Sequence, residues 1–325
     1  MEKPDETDLR ILAALDANAR SNIVDIAKMI GLSTHRVNHR IKDMEESGII
    51  KGYTCIPDLF RLGYQCYRIY LRLQHANSSS ENEMMDHLCK SQLTSWCGYA
   101  SGKFDIAAFV WFNAHGQAVG FWEEFMQKYR PYVREAVLVP YCGDTQMCLP
   151  FSAGKNIVTT GMEGIQISQK DREILRVLTT NGRASLESVG KAAGLEPASA
   201  KYRMDKLIEK KVIKSFRADI DVERLGYRIY KVDFHLSSLR NKKGIEGLIM
   251  TKPAVSNILR TIGWADLELQ VYAKSSKELN EVLHEIRDEF TEDIQDYDFF
   301  EYSKKMKDDW TSIILDAGNQ KPECV

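Results

Sequence analysis

The sequence predicts an α+β protein: two winged helix-turn-helix domains in tandem, each followed by a ferredoxin-like βαββαβ domain. Three observations predict this. The chain repeats itself, at first at an offset of 163 positions. The first third of each repeat holds three short helical patterns with a glycine turn before the third. The remainder of each repeat alternates strand-like and helix-like segments in the order βαββαβ.

The repeat needs no gap over its first sixty residues. Ile11-Leu12 falls on Ile174-Leu175, Asn18 on Asn181, Arg20 on Arg183, Gly31-Leu32 on Gly194-Leu195 and Arg40 on Arg203. Asp58 falls on Asp221, and Leu62-Gly63-Tyr64 on Leu225-Gly226-Tyr227. Further on the offset becomes 161: Gly102 falls on Gly263, Asp105 on Asp266 and Tyr141 on Tyr302. The expected divisions are 1–60 and 61–151 for the first pair of domains, 152–167 for a linker, 168–223 and 224–316 for the second pair, and 317–325 for a tail.

In the first copy, Leu9, Leu12 and Leu15 mark a helix that Asp8 favours at its start. Asn22 caps a second helix carrying Ile23, Ile26 and Ile30. After the Gly31-Leu32 turn, Ser33 caps a third, with Val37, Ile41 and Met44 on its apolar face. Residues 49–54 read as a small β wing. The third helix of such a unit lies in the major groove of DNA. Thr34, His35, Asn38 and His39 are placed for base edges. Arg36, Arg40, Lys42 and Lys51 are placed for phosphates.

The second copy repeats the framework with Ala200, Met204 and Leu207 on the third helix, which opens at Glu196-Pro197. Lys201, Tyr202, Arg203 and Lys206 are its candidate DNA contacts. Between Lys201 and Lys214 six basic residues face two acidic ones, a local excess that the whole-chain net charge of −2 conceals. Ala198, Ser199 and Tyr202 are poor base readers, so this helix either binds through phosphates or serves as a packing partner.

Strands are expected at 65–73, 94–100, 104–112 and 133–139, with helices near 81–90 and 117–129. The second copy places strands at 228–236, 254–261, 266–273 and 294–301, with helices near 245–250 and 277–290. Segments 147–151 and 311–315 are expected to add a fifth strand to each. Ile69, Leu71, Ile106, Ala108 and Val110 are candidates for contact between the two sheets, which would make the chain an internal pseudo-dimer.

The pattern Asn18-Ala19-Arg20, Gly31-Leu32-Ser33, Arg40-Ile41, Gly48-Ile49-Ile50, Leu62-Gly63 and Ser101-Gly102-Lys103-Phe104-Asp105 resembles the leucine- and asparagine-responsive regulator family (Lrp/AsnC), twice over. The usual member carries one copy. The resemblance implies double-stranded DNA as partner and homo-oligomers formed through the sensor domains. It also implies an amino acid or other small effector near Gly102, Asp105, Gly263 and Asp266. Glycine lets a backbone N–H approach a carboxylate, and aspartate pairs an ammonium. The same residues also suit a plain β-turn.

No phosphate-binding loop, dinucleotide fingerprint or metalloprotease motif occurs, and no cofactor or metal is expected. Seven scattered cysteines, without a secretory leader or a run of about 18 apolar residues, suit a reduced cytoplasm and no membrane. His115, His235 and His284 read as surface residues, and Trp96, Trp111 and Trp122 as core. Two alternatives share the fold: a sirohaem decarboxylase, whose homologous halves also work as a pair, and a metabolite-binding adaptor without DNA binding.

Overall fold

The computed structural model describes residues 4–146, 149–151, 157–158 and 164–316. Most of the expected linker (152–167) and the expected tail (317–325) therefore lie outside the described residues.

The first helix-turn-helix comprises α1 (Glu6–Ala17), α2 (Ile23–Ile30) and α3 (Thr34–Glu46). Each start is capped by a side chain, as local sequence dictates. Asp5 and Asp8 form a capping box on α1, Asn22 accepts from the Val24 N–H, and Ser33 accepts from the Arg36 N–H. Gly31 turns the chain between α2 and α3 at φ +81°, a left-handed conformation that an L side chain would strain. Ile11, Leu12, Leu15, Ile26, Val37 and Ile41 form the core beneath. The second unit repeats this with α6 (Gln169–Thr180), α7 (Leu186–Ala193) and α8 (Pro197–Glu209).

The expected wing is not closed within either copy. Strand β1 (Ile50–Pro57) pairs antiparallel with β7 (Ile213–Ile220), so each copy supplies one strand of a shared ribbon. Contacts across it are reciprocal. Arg20 donates to the Gly182 and Ala184 carbonyls at 2.7 and 3.1 Å, while Arg183 donates to the Ala19 carbonyl at 2.5 Å. Arg20 lies over the Phe216 ring and Arg183 over the Tyr53 ring. This is the isologous pattern of a two-fold dimer, drawn within one chain.

The first sensor runs β2 (Gln65–Leu73), α4 (Ser78–Lys90), β3 (Thr94–Gly102), β4 (Ile106–Phe112), α5 (His115–Tyr129) and β5 (Val133–Gln146), and β6 (Ile157–Val158) adds a short edge. The second runs β8 (Arg228–Leu236), α9 (Lys242–Ile249), β9 (Val255–Thr261), β10 (Leu267–Ala273), α10 (Ser276–Glu289) and β11 (Ile294–Asp308). Strand order β5-β2-β4-β3 in one and β11-β8-β10-β9 in the other is ferredoxin-like. The two sheets then join at both edges, β3 to β11 and β9 to β5, closing an eight-stranded barrel.

Two expectations are corrected here. Residues 311–315 lie in a helix, α11 (Thr311–Asp316), while Leu149 belongs to no strand and Pro150 and Phe151 lie in a turn, with 147–148 outside the described residues. The extra pairing comes instead from the length of β5 and β11. The first part of each bonds its own sheet and the last part crosses to the other. Secondly, Ile69, Leu71, Ile106, Ala108 and Val110 do not meet the other sheet. They pack under α4 and α5 with Met84, Leu88 and Phe125. Side chains alternate across a strand, so their neighbours face the barrel interior instead. Tyr70, Ala107, Phe300 and Tyr302 cluster there with Phe104.

That interior also holds charge. Arg68, Lys231, Asp233 and Glu268 are all buried. Lys231 pairs with Asp233 and lies 2.9 Å from Glu268, which is 3.8 Å from Arg68 of the other copy. The Arg68 guanidinium is sandwiched by the Phe109 and Tyr141 rings at 4.5 and 4.3 Å. Arg68 and Lys231 occupy equivalent positions in the repeat, but both carboxylates come from the second copy, where the first has Tyr70 and Ala107.

Candidate nucleic-acid interface

Helix α3 presents Thr34, His35, Arg36, Asn38, His39 and Lys42 to solvent, opposite buried Val37, Ile41 and Met44. Burying one helical stripe leaves the other facing outward, which a groove-reading helix requires. His39 Nδ1 lies 2.7 Å from Asp43 and Lys42 lies 3.5 Å from Glu46, both along the exposed face. Such exposed pairs are weak and readily exchanged for a phosphate.

The structure gives Arg40 a different task from the phosphate contact suggested by sequence. Its guanidinium lies 2.7 Å from Asp8 and 2.9 Å from Asp5, tying α3 to the start of α1. Arg203 repeats the brace on Asp171 at 2.9 Å. The Asp5 carboxyl is held below its ordinary range by the Asp8 N–H and, against the opposing effect of burial, by Arg40. The contribution of a lowered carboxylate is present above its unfolded pKa and is lost as pH falls through the folded one. We expect Arg40→Ala to lower stability by about 0.5–1 kcal/mol, read by thermal melting. Uniform weakening on every DNA sequence with no change in melting would return Arg40 to the phosphates.

Helix α8 exposes Lys201, Tyr202 and Lys206. Its basic excess is largely spent nearby: Lys201 pairs with Asp205 at 2.6 Å and Lys206 with Glu209 at 2.7 Å. Lys214 sits in β7, 3.5 Å from Asp144. Lys51 is exposed on β1 but reaches Asp221 at 2.8 Å. The interface thus joins two unlike helices through one ribbon, since α3 contacts β1 and α8 contacts β7. Sequence reading matched Arg20 with Arg183 but missed their work. Each crosses to the opposite copy, a destination that no local pattern encodes.

The candidate effector loops are also occupied. Gly102 and Gly263 have φ of +120° and +80°. Asp105 accepts from the Leu73 N–H at 2.7 Å and faces Arg72 at 3.4 Å. Asp266 accepts from the Leu236 N–H at 2.8 Å. Both carboxylates thereby terminate a neighbouring strand.

Of the histidines, His87 packs against Phe125 and Tyr129, and His115 Nδ1 lies 2.9 Å from the Tyr67 hydroxyl. Among the described residues no cluster of His, Cys, Asp and Glu could hold a metal, and no helix is long and apolar enough to cross a membrane.

Residues 4–51 match a family described as winged helix-turn-helix DNA-binding, and residues 167–208 match the AsnC-type helix-turn-helix domain. The HTH-type transcriptional regulator FL11 of Pyrococcus horikoshii is 31% identical over 121 residues, covering 37% of this chain and 79% of that protein. The proline dehydrogenase transcriptional activator of Rhodobacter capsulatus is 48% identical over 59 residues, 18% of this chain and 38% of that protein. Across the whole chain the fold is similar to that of the siroheme decarboxylase NirDL: TM-score 0.62, 12% identity, covering 97% of this chain and 100% of that one.

Proposed function

This chain belongs to the Lrp/AsnC family of transcription regulators, and from that premise we propose how its halves divide the work. The protein binds DNA through its helix-turn-helix domains. In our reading α3 is the sequence reader, with Thr34, His35, Asn38 and His39 on base edges and Arg36, Lys42 and Lys51 on phosphates. Helix α8 is the anchor, holding phosphates through Lys201, Lys206 and the Tyr202 hydroxyl. The observation that carries this is the polar face of α3, fully exposed and supported on the shared ribbon.

Asn38→Ala combined with His39→Ala should remove preference for the cognate site by roughly tenfold to a hundredfold, one or two base contacts' worth. Binding to unrelated DNA should persist, since phosphate attraction dominates it. Competition binding at fixed salt measures both; equal loss on all sequences refutes the base-reading role.

An effector near Gly102, Asp105, Gly263 and Asp266, such as an amino acid, completes the proposal, as does assembly of chains through the sensor domains. The strand edges that sensors would share are already joined within the chain, so further assembly uses other faces. Likeness to the siroheme decarboxylase is likeness of fold.

A further inference from the structure

Between the ribbon and one mouth of the barrel lies a cavity of about 630 Å3. Its roof is β1 and β7, the strands from which both DNA-facing helices hang, and its floor is the end of β11 and the interior of the barrel. Aromatic rings furnish much of the wall. Trp96 stacks on Phe109 at 4.8 Å and meets the edge of Tyr302 at 4.9 Å, and Trp310, just after β11, also lines the cavity while packing on Trp111 at 5.9 Å.

Among the described residues the charged part of the lining is acidic, with six carboxylates against three cations. Two of the cations are committed. Arg217 binds Asp16 through its Nε at 2.8 Å, and Lys51 binds Asp221 at 2.8 Å. The third, Lys305, lies 2.8 Å from Asp308 and 3.5 Å from Asp219, bridging the barrel to the ribbon. Asp308 lines the cavity and keeps 40% of its side-chain surface exposed. Burial pushes the Asp308 carboxyl up from its ordinary range despite Lys305, as expected where a carboxylate lacks enough positive charge.

We propose that this cavity is an effector site for a small organic cation, an amine carrying an apolar or aromatic body. The ammonium sits at Asp308 and Asp219, where it competes with Lys305, and the body lies among Trp96, Tyr302 and Trp310. Cations are drawn to aromatic faces and to carboxylates in such partly dry surroundings. A carboxylate-rich ligand, by contrast, meets like charge. The site is separate from the strand loops at Gly102 and Gly263. Only its coupling to DNA, through the Lys305 bridge to β7, rests on the regulator reading.

Binding is therefore read on the full chain without DNA, so that its failure is distinct from failure of DNA recognition. Phenethylamine and its matched anion 3-phenylpropionate are titrated against tryptophan emission, with melting as a second readout. The amine should give a saturable emission change and raise the melting temperature, while the anion does neither at the same concentration. Asp308→Asn should weaken the amine response at least tenfold. No saturable amine response, an equal response to the anion, or an unchanged response in the variant overturns the proposal. Should Asp308→Asn not fold, the contrast between amine and anion on the unaltered protein decides the matter.

Discussion

Lys231→Met should destabilise the barrel by about 3–5 kcal/mol, the cost of leaving a buried charge without its partner. Lys231 is wholly buried and faces Asp233 and Glu268. Removing it leaves two carboxylates with Arg68, which is 3.8 Å from Glu268 and held between two rings. For a unit of this size the melting temperature should fall on the order of 10 °C. Replacing Arg68, Lys231, Asp233 and Glu268 together with apolar residues should recover most of the loss, because the desolvation of all four charges then vanishes. A single variant that melts within a degree of the parent would show that the cluster is hydrated and unimportant. The arrangement also selects partners. Two first-copy sensors brought together would bury two Arg68 side chains with only Tyr70 and Ala107 where the carboxylates stand. The cluster is thus satisfied only when a first copy meets a second.

The second large effect is expected from Arg20→Ala together with Arg183→Ala. Each arginine donates to backbone carbonyls of the opposite copy and covers an aromatic ring there. Charged hydrogen bonds of this kind contribute about 1.5–3 kcal/mol each. Their joint loss should free the helix-turn-helix layer to melt before the barrel, so calorimetry should resolve two transitions. Affinity for the cognate site should fall by roughly tenfold or more, because the relative placement of α3 and α8 is no longer enforced. A single unchanged transition with unaltered affinity would mean that the β1–β7 ribbon alone holds the layer.

What can be read from sequence here follows the range of each interaction. The helix-turn-helix units are legible because caps, apolar stripe and glycine turn all act within a few residues, as Ser33, Val37 and Gly31 do. The ferredoxin-like order is legible from alternation along β2 and β8. Barrel closure is not. The polar end of β5, Tyr141 to Gln146, resembles a loop until β9 supplies its hydrogen bonds. Residues 311–315 resemble a strand because Ile313 and Ile314 are β-branched, yet both are buried as part of a helix that packs on α6. Which face of β2 meets the other sheet is hidden in the sequence for a plainer reason. Both faces are buried, so alternation of Ile69 and Tyr70 carries no sign of which side is outer.

The unlike helices on the shared ribbon have one more consequence. A symmetric dimer reads the same letters twice, in mirror order, and its binding site looks identical from either end. Here one arm ends in Thr34, His35 and Asn38, the other in Ala198, Ser199 and Tyr202. If both arms engage DNA as proposed, the stretch of genome that suits such a pair has a head and a tail, and turning that stretch around would change which arm lies nearer the gene.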